Sequence, residues 1–249
     1  MLGLGVASNS GLSSDSASMS RKAAFANTKS LDFDGTNDYV NTNYTSNDLF
    51  RGSFSFSYWV NLDAGIGISV GVEKGTHSSF AIQHFNGNIN VLQYSNSDVA
   101  FPGTSSTPIS LDTWHHVVVT VTKNSGSATT YAIYVDNNLI GHALLAGFTI
   151  SEANQNAFDA DGNFLAIGAS NDDGTPDTFV NGHMDEVAVF SEALSSSEVT
   201  AIYNSGRPKD ESGHDNLLLY YRFEDDVTDT AGTSNATNNG ATFSSSVPS

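Results

Sequence analysis

The chain has 249 residues, of which 27 are acidic and only 9 are lysine or arginine, so its formal net charge is −18. This excess of carboxylates repels polyanions, and we expect no binding to nucleic acid or to anionic membranes. The absence of cysteine excludes disulfides and thiolate-bound metals. Carboxylates instead favour hard cations such as Ca²⁺.

Residues 1–29 form a segment rich in Gly, Ser, Ala and Asn that offers little apolar surface to bury. We predict an extended N-terminal arm that docks on a neighbouring subunit or another protein. The first residues lack the basic region and the long apolar run of a secretory signal, so export by the usual route is not expected. No apolar stretch approaches the length that crosses a membrane.

From Leu31 onward the pattern is that of short strands joined by turns. In "SFSFSYWV" (53–60) every second residue is apolar, which predicts a strand with Phe54, Phe56, Tyr58 and Val60 on one face. The stretches 79–85 and 88–94 predict a hairpin around Asn86-Gly87, a residue pair suited to positive φ.

Further strands are predicted over 113–122, over 130–143 with a turn at Asp136-Asn137-Asn138, and over 163–170, 182–190 and 216–224. Hairpins in series are typical of a β-sandwich. One helix is predicted: Ser195 is suited to cap it, Glu198 follows three residues later, and Gly206 ends it.

The chain resembles the laminin-G-like, concanavalin A-like jelly rolls, in particular the pentraxin-type branch. The resemblance spans residues 31–206 and is carried, in order, by "LDFDGTNDYV", "GSFSFSYWV", "TWHHVVVTV" with "YAIYVDNNLIG", and "FVNGHMDEVAVFSEALSSSEVTAIYNSG". It implies an all-β fold, a two-sheet antiparallel sandwich with one short helix. We predict an arm at 1–29, a jelly roll at 30–206, and C-terminal strands at 207–249 that return to the sandwich.

Residues 207–249 resemble extensions found in structural proteins of marine tailed phages, although segments like "YYRFED" also occur in secreted multidomain bacterial proteins. The leading hypothesis is a non-catalytic virion surface protein, a capsid decoration or tail fibre subunit. It would assemble with itself or with other virion proteins through residues 1–29, and it could bind cell-surface glycans. The alternative is a secreted lectin or carbohydrate-binding module of a larger bacterial protein.

The resemblance also implies a structural Ca²⁺ between the first and last strands, with Asp34, Asp38 and Asp185 as ligands and Glu186 as a weaker candidate. Asp34 and Asn37 favour tight turns without any metal, so a simple turn stays open for this stretch.

A second calcium site is predicted from "FDADGN", where Asp159 and Asp161 resemble the first half of a calcium loop without its later Glu. Nearby acidic or amide side chains are Asn163, Asp172, Asp173 and Asp177. The alternative is a pair of solvated acidic loops.

We expect no enzymatic activity. Glucanases need spaced carboxylates on either side of the glycosidic bond, whereas Asp185 and Glu186 are adjacent. No Gly-x-Ser-x-Gly, dinucleotide or zinc pattern occurs. One of His115 and His116 is expected to bond within the core. Four aromatic residues are candidates for a sugar-stacking surface, although core positions are the commoner outcome: Tyr39, Trp59, Tyr94 and Phe101.

Overall fold

The structure, a computed structural model, describes residues 25–74, 78–95, 98–124, 128–146, 163–232 and 234–249. Asp159, Asp161 and most of the predicted arm therefore lie outside the described residues. Strands are numbered β1 to β17 in chain order.

One sheet has eight strands within these ranges, in the order β10-β9-β8-β3-β14-β1-β17, with β15 also beside β14. Their bounds are β1 Ser30–Asp34, β3 Phe54–Leu62, β8 His115–Lys123, β9 Ala128–Val135, β10 Asn138–Ala146, β14 Asn181–Phe190, β15 Leu217–Tyr221 and β17 Thr242–Ser244. We call this sheet the front sheet.

The other sheet, called the back sheet, has nine strands in the described part of the chain, in the order β16-β2-β11-β4-β5-β6-β7, with β12 beside β4 and β13 beside β12. Their bounds are β2 Tyr39–Asn41, β4 Ile66–Lys74, β5 Ser78–Phe85, β6 Asn88–Ser95, β7 Asp98–Thr104, β11 Ala166–Ile167, β12 Ser170–Asp172, β13 Thr175–Asp177 and β16 Thr237–Asn239. Two large antiparallel sheets confirm the predicted all-β jelly-roll sandwich.

The main core lies between the sheets and follows from the alternation along β3. Phe54, Phe56, Tyr58 and Val60 are fully buried there, as predicted from their spacing. The rings of Phe54 and Phe80, one from each sheet, meet edge to face with centroids 5.1 Å apart. Such aromatic pairs contribute packing energy beyond the area that they bury.

The outer face of the front sheet is covered by the helix α1 (Ser196–Tyr203), which packs Val199 and Ile202 on it. The predicted capping box is present: Glu198 N–H donates to Ser195 Oγ at 3.3 Å, and Ser195 N–H donates to Glu198 Oε2 at 2.7 Å. With eight residues, this helix is too short to cross a membrane, and the described chain holds no other candidate span.

Two strands are shorter than predicted because single residues adopt positive φ. The stretch 163–170 is interrupted at Gly168, where φ is +82° and a Cβ atom would clash with the Phe33 ring. The stretch 216–224 leaves the sheet after Tyr221, since Phe223 has φ +57° and Asp225 has φ +60°. A 3₁₀ helix over Asn47–Arg51 also appears where no helix was predicted.

The C-terminal strands pair with strands from the start of the chain, β16 with β2 and β17 with β1. One edge of β14 is shared: β1 pairs along Asn181–Met184, and β15 pairs along Val187–Phe190. On its other edge the register against β3 shifts between Asp185 and Ala188, a β-bulge in which Glu186 has φ +49°. Asp185 and Glu186 therefore lie at the junction between β1 and β15.

Candidate functional site

A cleft of about 470 Å³ opens on the front sheet next to the end of α1. It is bounded by β3, the loop that enters β8, the β9–β10 turn and the residues that end α1. The lining residues are Trp59, Asn61, Asp112, Thr113, Trp114, His115, Asp136, Tyr203, Gly206 and Ser249.

Three aromatic side chains give the cleft an apolar wall. Trp59 points away from the core because its neighbours on β3 point inward, and it stacks on Tyr203 of α1 with centroids 6.1 Å apart and an interplanar angle of 19°. Only 5% of Trp59 is exposed, so it forms the base of the cleft. Trp114 is half-buried at the rim, with its ring 6.1 Å from that of His183.

Asp136 lies in the two-residue turn between β9 and β10 and accepts hydrogen bonds on both carboxylate oxygens. His116 N–H donates to Oδ1 at 2.9 Å, and His115 Nδ1 donates to Oδ2 at 2.7 Å. Burial acts to raise the pKa of Asp136, but the hydrogen bonds from His115 and His116 outweigh it and hold the pKa below its usual range. Asp136 is therefore ionised at neutral pH.

The other ring nitrogen of His115, Nε2, lies 2.9 Å from Ser110 Oγ. Serine hydrolases use the same order of serine, histidine and aspartate. Here the bonds have a structural explanation, because Asp136 and His115 join the β9–β10 turn to the start of β8. His116 is the histidine that is buried, and its Nε2 lies 2.9 Å from Ser57 Oγ. Burial lowers the pKa of His116 to about 3, so its ring is neutral.

The stretch Asp34–Asp38 is a turn closed by its own carboxylates. Asp34 Oδ1 accepts hydrogen bonds from Thr36 N–H at 2.8 Å and Asn37 N–H at 3.3 Å, and Asp38 Oδ2 accepts one from Asp34 N–H at 3.1 Å. Asp38 is buried, and this burial raises its pKa. Gly240, with φ +94°, packs against Asp38 so closely that a Cβ atom would clash with Oδ1.

The structure does not bring Asp185 to this turn. β1 pairs with β14 so that Asp34 faces Asn181 and Leu31 faces Met184, which places Asp185 level with Ser30 at the opposite end of β1. Four residues of strand separate the two positions, roughly 13 Å. One ion bound by Asp34, Asp38 and Asp185 together does not fit this geometry, and a calcium role for each residue separately stays a prediction.

Asp185 and Glu186 instead form a buried acidic pair at the β14 bulge. Asp185 Oδ2 accepts a hydrogen bond from Asn27 Nδ2 at 2.9 Å. Glu186 accepts one from the Tyr220 hydroxyl and lies 3.4 Å from Arg222 Nε. Burial raises the pKa of Glu186 to about 8, against the opposing effects of Tyr220 and Arg222. Burial, and then the charge of Glu186, raises the pKa of Asp185 well above its usual value.

Residues 25–29, the described end of the predicted arm, lie across this acidic pair. Thr28 donates to the Glu224 carboxylate from its backbone N–H at 2.7 Å and from its hydroxyl at 2.5 Å. Arg222 lies 4.4 Å above the Phe25 ring and donates to the Ala26 carbonyl. This part of the arm binds its own chain, and Asp185 and Glu186 are both buried.

The second predicted calcium region is described only in part. Asn163 Oδ1 accepts a hydrogen bond from Gly174 N–H at 2.8 Å, so the end of the "FDADGN" stretch contacts the turn that carries Asp172 and Asp173. Asp177 is exposed on β13. Asp159 and Asp161 fall outside the described residues, and their metal role stays a prediction.

Of the four predicted sugar-stacking residues, Trp59 alone among those described lines the cleft. Tyr39 stacks on Phe164, with centroids 6.0 Å apart. The side chains of Tyr94 and Phe101 are outside the described set. Four cleft residues were not predicted from the sequence, because they come from separate stretches with no shared spacing: Asn61, Asp112, Trp114 and Tyr203. "TWHH" beside a strand was the one local signal.

The sequence model of a laminin G family in the concanavalin A-like lectin/glucanases superfamily matches residues 34–200. The chain belongs to this superfamily. A comparison of the chain with curated protein sequences finds no significant match.

Solved structures share the fold at low sequence identity. A candidate carbohydrate-binding protein from Bacteroides ovatus aligns with a TM-score of 0.61 and 18% identity, over 90% of this chain and 62% of that one. A heptameric SAP-like pentraxin from Limulus polyphemus gives 0.50 and 15%, over 79% and 93%. The NanB sialidase of Streptococcus pneumoniae gives 0.52 and 17%, over 70% of this chain and 27% of that enzyme. The lectin-like chain thus spans less than two thirds of the Bacteroides protein and about a quarter of the sialidase.

Proposed function

We propose that the protein is a non-catalytic glycan-binding domain and that the cleft around Trp114 is its binding site. The observation that carries the proposal is the combination of Trp59, Trp114 and Tyr203 with the polar groups of Asn61 and Asp136 in one open cleft. Sites for small ligands commonly combine apolar walls with a few oriented polar groups.

This combination suits the chemistry of a sugar ring. The aromatic faces of Trp and Tyr can pack against the C–H side of a pyranose or furanose. Ionised Asp136 and the amide of Asn61 can accept hydrogen bonds from sugar hydroxyls, and bonds to a charged acceptor are the stronger kind. The description of the Bacteroides ovatus protein as a candidate carbohydrate-binding protein supports this proposal.

Replacement of Trp114 by Ala tests the site. A glycan array with the wild-type protein identifies a ligand, and calorimetry with that ligand is expected to give at least about tenfold weaker binding for Trp114→Ala, or about 1.4 kcal/mol. Phe85→Ala is the matched control, because Phe85 is an aromatic residue of the back sheet that is 46% exposed. Equal affinity in wild type and Trp114→Ala, at unchanged melting temperature, would contradict the proposed site.

We further propose that the domain works on the surface of a phage particle, as a capsid decoration or tail fibre subunit. The resemblance of residues 207–249 to phage structural proteins supports this setting. The alternative is a secreted lectin or carbohydrate-binding module of a larger bacterial protein. Mass spectrometry of purified particles is expected to detect the chain, and its absence from them would favour the secreted module.

A structural calcium ion at Asp34 and Asp38 is proposed separately from the glycan site. Chelation is expected to lower the melting temperature of the wild-type protein, since an ion that binds only the folded state stabilises it. Asp38→Asn should remove this sensitivity, while Asp215→Asn, in an exposed turn outside both predicted calcium regions, should retain it. An unchanged melting temperature in excess chelator would leave Asp34–Asp38 as a turn closed by hydrogen bonds alone.

A further inference from the structure

We infer that the cleft selects uncharged glycans and discriminates against sugars that carry a carboxylate, sulfate or phosphate. The inference rests on the proposed glycan site and concerns the class of sugar that this site accepts. Its basis is the sign of the charged side chains that line the cleft, which is negative.

Two lining residues are aspartates, Asp112 and Asp136, and the lining set contains neither lysine nor arginine. Asp136 is ionised, because the hydrogen bonds from His115 and His116 lower its pKa. Asp112 is exposed, in a loop position with φ +54°. An anionic sugar in the cleft would therefore meet two like charges.

The lining histidine directs both ring nitrogens to protein partners and leaves neither for an anionic sugar. His115 Nδ1 is bonded to Asp136 at 2.7 Å, and Nε2 faces the Ser110 hydroxyl at 2.9 Å. Both ring nitrogens thus have protein partners. Arg207, which follows the lining residue Gly206, lines a neighbouring cavity with Phe25, Asn27 and Pro208. The net charge of −18 adds a long-range repulsion of the same sign.

The same carboxylates favour a neutral sugar, because its hydroxyl groups can donate hydrogen bonds to them. Repulsion between two like charges about 4 Å apart lowers the binding affinity about fivefold even at the dielectric constant of water. Two carboxylates at such distances would discriminate by more than tenfold at low ionic strength. Salt should reduce this preference, since exposed charges are screened.

The test uses pairs of glycans that differ by one charged group, such as N-acetyllactosamine and its 3′-sialylated and 6-sulfated forms, on an array that also holds other neutral glycans with their charged counterparts. Calorimetry then measures the best pair at about 20 mM and about 500 mM NaCl. We expect the neutral member to bind at least about tenfold more tightly at low salt, with a smaller ratio at high salt.

Asp112→Asn removes one charge from the cleft, keeps the size of the side chain, and suits the positive φ at this position. It is expected to reduce the neutral-to-anionic ratio about fivefold, mainly by strengthening the binding of the anionic member. Asp173→Asn is the matched control, because Asp173 is also an exposed aspartate with positive φ, in a turn of the back sheet.

The outcomes separate this inference from the proposed function. Equal binding of both members of a pair, lost in Trp114→Ala, would overturn the selectivity and leave the glycan site in place. An equal reduction of the ratio in Asp112→Asn and Asp173→Asn would show that overall charge, and not the cleft, discriminates. Binding of no glycan on the array would contradict the proposed function, and the inference with it.

Discussion

At the scale of single residues, the acidic pair of β14 shows how a local irregularity changes the chemistry of a side chain. Adjacent residues of a regular strand face opposite ways, but the bulge at Glu186 gives both Asp185 and Glu186 partners at the junction of β1 and β15. Both carboxyls are buried, and Arg222 is the cation paired with Glu186. Proton binding therefore contributes to the stability of the fold.

We predict that stability falls as pH rises from about 6.5 to about 8.5, above the range in which the buried, neutral His116 has the opposite effect. Glu186 has a folded pKa of about 8, above its ordinary 4.5, so the folded state retains a proton that the unfolded chain releases. The stabilising contribution is fully present below pH 4.5 and is lost as pH rises through about 8. Glu186→Gln cannot titrate and should flatten this dependence by about 1–3 kcal/mol.

Urea unfolding followed by tryptophan fluorescence at pH 5.5, 7 and 8.5 measures this dependence. Asp173→Asn provides the control, since it removes an exposed carboxylate and should leave the slope as in the wild type. Residual slope in Glu186→Gln is expected from Asp185, whose pKa is raised for the same reason. A wild-type stability that is constant from pH 7 to 8.5 would contradict the prediction.

At the scale of secondary-structure elements, sequence motifs predicted the caps and turns that neighbouring residues determine. The α1 capping box and the Asn86-Gly87 hairpin turn depend on residues next to each other in sequence, and both occur in the structure. The break at Gly168 depends on the Phe33 ring, which lies far away in the chain. Just past the end of β15, Arg222 and Glu224 likewise contact the segment 25–29, which is distant in sequence. Such tertiary contacts leave no pattern in a short window of sequence.

Removal of the α1 cap is expected to destabilise the protein. Ser195→Ala deletes the oxygen that accepts the Glu198 N–H, which should lower the free energy of unfolding by about 1 kcal/mol. Ser196→Ala is the matched control: this exposed serine is the first helical residue, and its substitution should have an effect within about 0.5 kcal/mol. Equal stabilities of the two variants in urea unfolding would show that the cap contributes nothing.

At the scale of the whole molecule, the fold could be predicted and the site could not. The two-sheet sandwich follows from strands whose alternation is written along the sequence, as for Phe54 to Val60. The cleft is formed by β3, the loop before β8, the β9–β10 turn and the end of α1, so no single stretch of sequence predicts it. The calcium prediction failed to anticipate the strand register. The family resemblance grouped Asp34, Asp38 and Asp185, whereas the register places Asp185 apart from the other two.

The pairing of β17 with β1 and of β16 with β2 links residues separated by almost the full length of the chain. On the ribosome, β1 and β2 emerge first and cannot complete their sheets until the last strands have been synthesised. The β1 edge of the front sheet and the β2 edge of the back sheet thus stay unpaired until then, and unpaired strand edges are prone to associate with other chains. The domain can complete both sheets only after these last strands have been translated.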